Sequence, residues 1–242
     1  MLLSISPRAP GLLVLLWCAF APTALIAQSS QQIYTTMQVV DPIGRRTVGK
    51  LDVGGAAQVY GSGQWDKIGI QPAIDYHLAR WADLLMQVQV DYVYQAANVN
   101  TLEIRPALGI RLFWVPTSRV SLRNRTLLEF RDVIYLVGDT SSTSWRLRDR
   151  IETRVAINHP TFEHNQLLYL IADFEGLLNP KGAPDERFLD KFILTLGLGF
   201  RFDYTWRFEA GWQGQEAVNS SKPGDPRSIV NALQLRLIHY IR

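Results

Sequence analysis

The sequence predicts an all-β chain closing into a transmembrane antiparallel up-and-down β-barrel of about ten strands, with twelve as the alternative count. Three observations carry this expectation. In the stretch 144–157 (SWRLRDRIETRVAI), Arg146, Arg148, Arg150, Glu152 and Arg154 take every even position while the odd positions are mostly apolar. That is the period of two of a strand with two unlike faces. The same alternation recurs from about residue 47 onward, between connections that alternate short and long. Beyond residue 28 no apolar run approaches the roughly 20 residues a membrane helix needs, so a membrane-embedded chain must satisfy its backbone as a closed barrel.

Residues 1–27 read as an export signal, with Arg8 the only charge, an apolar core at 11–26 and Ala27 at the cleavage point. Trp17 before Cys18 speaks against lipid attachment. Cys18 is the only cysteine, so the mature chain is expected to have no disulfide, thiol nucleophile or thiolate metal site. Residues 28–45 read as a periplasmic or luminal lead segment and 46–242 as the barrel. A strand at 33–40 would make the count odd, and single-chain bacterial barrels have even counts.

Within the barrel, strands are expected at 47–60, 67–79, 84–94, 101–115 and 120–135, then in the arginine-rich stretch, and at 166–175, 190–203, 206–216 and 228–242. Residues 67–79 set Ile68, Ile70, Ile74, Tyr76 and Leu78 against Lys67, Gln71, Asp75 and His77. Residues 84–94 set Met86, Val88, Val90, Tyr92 and Tyr94 against Gln87, Gln89 and Asp91. The connections at 80–83, 116–119 and 204–205 are tight; those at 136–143, 176–188 and 217–227 are longer and rich in Gly, Pro, Ser and Asp. Short periplasmic turns and longer outer loops are the pattern of outer-membrane barrels. Outward aromatics fall in two bands: Tyr76, Trp114, Phe202 and Trp206 near the tight turns, and Tyr94, Trp145, Phe192 and Trp212 near the long loops, as interfacial girdles would. Outward Asp149 breaks the apolar face and marks a rim position, a β-bulge or a subunit contact.

The segments 102–111 (LEIRPALGIR), 145–154, Asp173-Phe174-Glu175 and 231–235 (NALQL) resemble a large family of uncharacterised Gram-negative outer-membrane β-barrels, a domain of unknown function, over about 47–242. The resemblance implies a porin-like outer-membrane location and a barrel, and brings no catalytic residues. One departure is the C-terminus, Tyr240-Ile241-Arg242, where many such barrels end in an aromatic residue used for insertion.

The chemistry is expected on the inner face. Arg105, Arg111, Arg123, Arg125, Arg131, Arg146, Arg148, Arg150 and Arg154, with Arg201, Arg207 and Arg236, face Glu103, Glu129, Glu152, Asp173, Glu175 and Glu209. Matched pairing would fill the lumen with bridged ion pairs, because an arginine fork can join carboxylates on several strands. Surplus arginine would leave a positive interior that prefers small anions. Catalytic, cofactor and metal sites are not expected: His77 beside Asp75 reads as a luminal hydrogen-bond pair, His159 and His164 lack a third ligand, and no G-x-S-x-G elbow is present. Twenty of the 25 basic residues are arginine and many alternate with apolar residues instead of clustering, against a net charge of +3, so nucleic acid is not an expected partner. The expected partners are outer-membrane lipid, the barrel assembly machinery and small anionic solutes. The expected role is structural or that of a narrow conduit, with an anion-preferring channel and a lipid-modifying barrel enzyme as alternatives.

Overall fold

The computed structural model describes residues 30–61, 65–95, 100–116, 119–138, 140–178, 190–218 and 228–241; the expected export signal and most of the long-loop residues lie outside them. Eleven strands form among the described residues: β1 Ser30–Asp41, β2 Thr47–Tyr60, β3 Trp65–Ala79, β4 Ala82–Gln95, β5 Thr101–Pro116, β6 Val120–Tyr135, β7 Thr140–Ala156, β8 Leu167–Leu178, β9 Asp190–Arg201, β10 Trp206–Val218 and β11 Ser228–Tyr240. Each pairs antiparallel with the next, and β1 closes the barrel against β11.

The closure corrects the reading of 28–45. That segment contributes β1, in register from Ser30 opposite Val230 to Val40 opposite Tyr240, and this pairing is parallel. The geometry requires it, since in a meander of eleven strands the first and last run in the same direction. The even-count rule argued against a strand here, yet its residues alternate as the others do. Ile33 and Met37 point outward, whereas Gln32 and Gln38 are buried inside. Closure leaves neither sheet edge with unpaired backbone groups. The barrel therefore begins at Ser30, about 16 residues earlier than the even-count rule places it.

The remaining strands follow the expected faces. Ile68, Ile70, Met86, Leu108, Leu128, Phe174 and Leu196 are exposed on the outside, while Asp75, Asp91, Glu129, Glu152, Asp173 and Glu175 are buried within. Six of the eight girdle aromatics are among the exposed large side chains. Trp206 packs against His239, ring centroids 4.2 Å apart and planes tilted by 33°, and Trp212 starts from mid-strand, its indole lying over Gly214 towards the loop end. Asp149 marks neither a rim nor a bulge. It sits mid-β7 in unbroken register and accepts hydrogen bonds from Asn124 Nδ2 (3.0 Å) and Thr126 Oγ1 (2.6 Å), a polar patch on the outer wall.

Inside the tight-turn end, Tyr169 packs with Ala156, Leu167 and Ile171, and Phe162 of the β7–β8 turn folds against this cluster. Tyr169 lies opposite Gly199 in the β8–β9 register, and its ring occupies the space a Cβ at 199 would take. The hydroxyl thereby crosses β9 to donate to Glu209 on β10 at 2.8 Å. Gly199→Ala is expected to displace the ring and lower stability by about 1–3 kcal/mol. Gly176→Ala, whose added methyl meets Phe192 at only 3.7 Å, should be neutral or stabilising. Denaturant unfolding of the two variants checks the contrast; equal effects would mean the ring does not need the glycine.

Candidate functional site: the barrel lumen

Alternation places one side chain in two inside, and strand pairing then decides which charges meet. On β7, Arg146 donates to Glu129 through Nε (2.8 Å) and Nη2 (2.5 Å). Arg148, one step along the same face, donates to Glu129 Oε1 (2.7 Å) and to Glu175 Oε1 (2.6 Å), so it bridges β6 and β8. Arg150 reaches Asp173 at 2.5 Å and Glu152 at 3.5 Å. Arg154 pairs with Asp173, and Arg123 with Glu152. Arg125 stands 3.9 Å from Glu152. Arg131 holds Glu103 at 2.7 Å, and Arg105 joins Glu103 (3.6 Å) to Asp91. The expected luminal residues thus lie on the inner face, and each of the set's arginines from Arg105 to Arg154 has a carboxylate within 4 Å.

The set is also larger than expected. Arg111 donates to Asp75 (2.7 Å) and Asp83 (3.2 Å), and Asp75 also takes Lys50. Asp91 also takes Lys67 at 3.4 Å. Asp83 was expected in a turn, but β4 starts at Ala82 and points Asp83 inward. It also corrects the pairing of His77, whose Nδ1 lies 2.6 Å from Asp83 Oδ1 and not on Asp75. Alternation already puts Lys67, Asp75 and Asp91 on the polar face and could have added Lys50; Asp83 is hidden by its closeness to the turn.

The lumen has two unlike halves. Towards the long-loop end it is packed: Glu129 and Asp91 are each 1% exposed, and Glu103, Arg105, Arg131 and Arg146 surround them. Towards the tight-turn end lies a cavity of about 840 Å³. Its wall runs from Gln89, Arg148 and Gln234 down to Pro42, Phe162 and Ile241 at the mouth. A matched network and a surplus of arginine were alternatives in sequence. Both occur, at different heights. At the mouth Arg201 and Arg207 face each other across β9 and β10, and neither meets a carboxylate among the described residues. Arg236 reaches Asp52 and Glu209 only at 3.8 and 3.9 Å.

Fold and lumen together define a class: closed β-barrels with an apolar outer wall and a charged, ion-paired interior. The chain belongs to the family described as "Protein of unknown function (DUF2490)", which it matches over residues 31–224. The match begins within β1, consistent with that strand being part of the domain, and stops short of β11. No curated protein matches the chain.

Proposed function

We propose that this chain is a bacterial outer-membrane β-barrel, exported through a cleaved signal at 1–27, with its tight turns in the periplasm and a lumen closed in its outer half. Its role is structural, or that of a conduit no wider than the gaps in an ion-paired plug. The supporting observation is the inversion of polarity across one wall. Leu108, Leu128 and Phe174 are exposed outside while Glu129 and Asp91 are almost fully buried inside. A water-soluble barrel gains nothing by exposing its apolar band and burying its charges, whereas in a bilayer the band faces lipid and the charges pair in the interior.

Two measurements test this. Expressed at native level, the chain should sediment with outer membranes and require detergent for release; recovery in the soluble periplasm sinks the reading. In planar bilayers the barrel should carry no stable open-state current, because the Arg146–Glu129–Arg148–Glu175 bridge spans β6 to β8. Steady current with an anion-selective reversal potential in a salt gradient would replace the closed barrel with the anion-channel reading, which the cavity at the tight-turn end favours.

A further inference from the structure

The geometry points to a phosphoryl-binding site in the tight-turn mouth of the lumen, centred on Arg201 and Arg207. The site does not depend on the membrane reading, since the mouth is a property of the fold.

Arg201 and Arg207 occupy directly paired positions on β9 and β10 and both project into the cavity. Like charges placed opposite one another on a sheet repel, so such a pair costs stability unless an anion lies between or beside them. Elsewhere in the lumen a carboxylate lies within 4 Å of each arginine of a directly paired couple, Glu152 of both Arg125 and Arg150, and Asp75 of Arg111 opposite Arg125. Here no described carboxylate does so. Glu209, the nearest acid along β10, is engaged by the Tyr169 hydroxyl and lies 3.9 Å from Arg236.

Both guanidinium groups are instead held in place by uncharged contacts. Arg201 is 6% exposed and donates to the Phe162 carbonyl in the β7–β8 turn. Arg207 lies over the Tyr240 ring, 4.4 Å from its centroid. Stacking fixes the plane of a guanidinium and leaves its N–H edge available to an acceptor. The Nε of each group is buried without a hydrogen-bond partner, so neither arginine is saturated. The two groups are thus fixed, charged and under-used.

The chemistry favours phosphoryl over carboxylate. A carboxylate offers two oxygens in one plane and is satisfied by one fork, whereas a phosphoryl group offers three oxygens and can take forks from two arginines at once. Arg236, weakly held by its distant acids, lines the same cavity. The space, about 840 Å³, falls within the roughly 300–1,000 Å³ typical of small-ligand sites. A soluble phosphorylated solute and a phospholipid headgroup present the same group, and the experiment separates them.

The purified barrel is melted in zwitterionic detergent with increasing pyrophosphate at ionic strength matched by chloride, and separately in nanodiscs with and without phosphatidylglycerol. Pyrophosphate should raise the melting temperature of the parent, and Arg201→Gln or Arg207→Gln should weaken the apparent affinity by about tenfold or more. Lys191→Gln, at the opposite end of the lumen, should respond as the parent does. Arg201→Gln loses its bond to the Phe162 carbonyl and Arg207→Gln its contact with the Tyr240 ring, so each variant's shift is read against its own ligand-free melting temperature. A shift with phosphatidylglycerol alone, lost in the same variants, supports the site with a headgroup as its source. No shift with either probe, or equal shifts in parent and arginine variants, overturns the proposal.

Discussion

Replacing Glu129 with alanine is expected to destabilise the folded barrel by about 3–5 kcal/mol, the usual cost of removing one partner from a buried charge pair. Glu129 is 1% exposed and takes three hydrogen bonds, two from Arg146 and one from Arg148. The two arginines fare differently once it is gone. Arg148 keeps Glu175, whereas Arg146 has no other carboxylate within ion-pair distance among the described residues. The penalty should therefore trace to Arg146. The double substitution Glu129→Leu with Arg146→Leu should recover most of the loss, because replacing a whole buried pair with apolar groups of similar volume is often neutral or stabilising. Equilibrium unfolding of parent, single and double variants in a double-mutant cycle gives the coupling directly. A single variant within about 0.5 kcal/mol of the parent, the range of ordinary surface changes, would show that water reaches this half of the lumen.

The outer wall carries the second large effect. Leu108 is 55% exposed on β5, with Met86 and Leu128 beside it on the neighbouring strands. In a water-soluble protein, Leu108→Arg at so exposed a site would change stability by no more than about 0.5 kcal/mol. Facing lipid near the bilayer midplane it should cost about 2–4 kcal/mol. Unfolding of the barrel in phospholipid vesicles separates the two outcomes, and Trp114→Arg near the tight-turn rim should cost less, as the penalty fades towards the interface. A negligible change at Leu108 would remove the membrane reading at its physical root.

Much of the fold is legible in the sequence. The inner face of β7 follows from five charged residues at consecutive even positions, and every strand from β2 to β11 begins within about four residues of its expected start. The expectation fails at two kinds of place. At the ends of strands alternation is too short to register, so Asp83 passed for a turn residue and its bond to His77 was missed. At β1 the pattern was present, but a general rule about even counts outweighed it.

What the sequence determined by itself was local: which residues share a face, where the chain turns, and that charge lies on one side of each strand with apolar bulk on the other. Period-two alternation needs only neighbouring residues to be read. Three matters were decided by tertiary structure alone. The parallel closure of β1 on β11 depends on the number and direction of all the strands together. The partner of each arginine depends on inter-strand register and on how far a guanidinium reaches across the barrel, which is how Arg148 comes to bridge Glu129 and Glu175. The division of the lumen into a packed half and a cavity depends on the height at which each charge falls. That height left Arg201 and Arg207 facing each other at the mouth without the acid that the other arginines found.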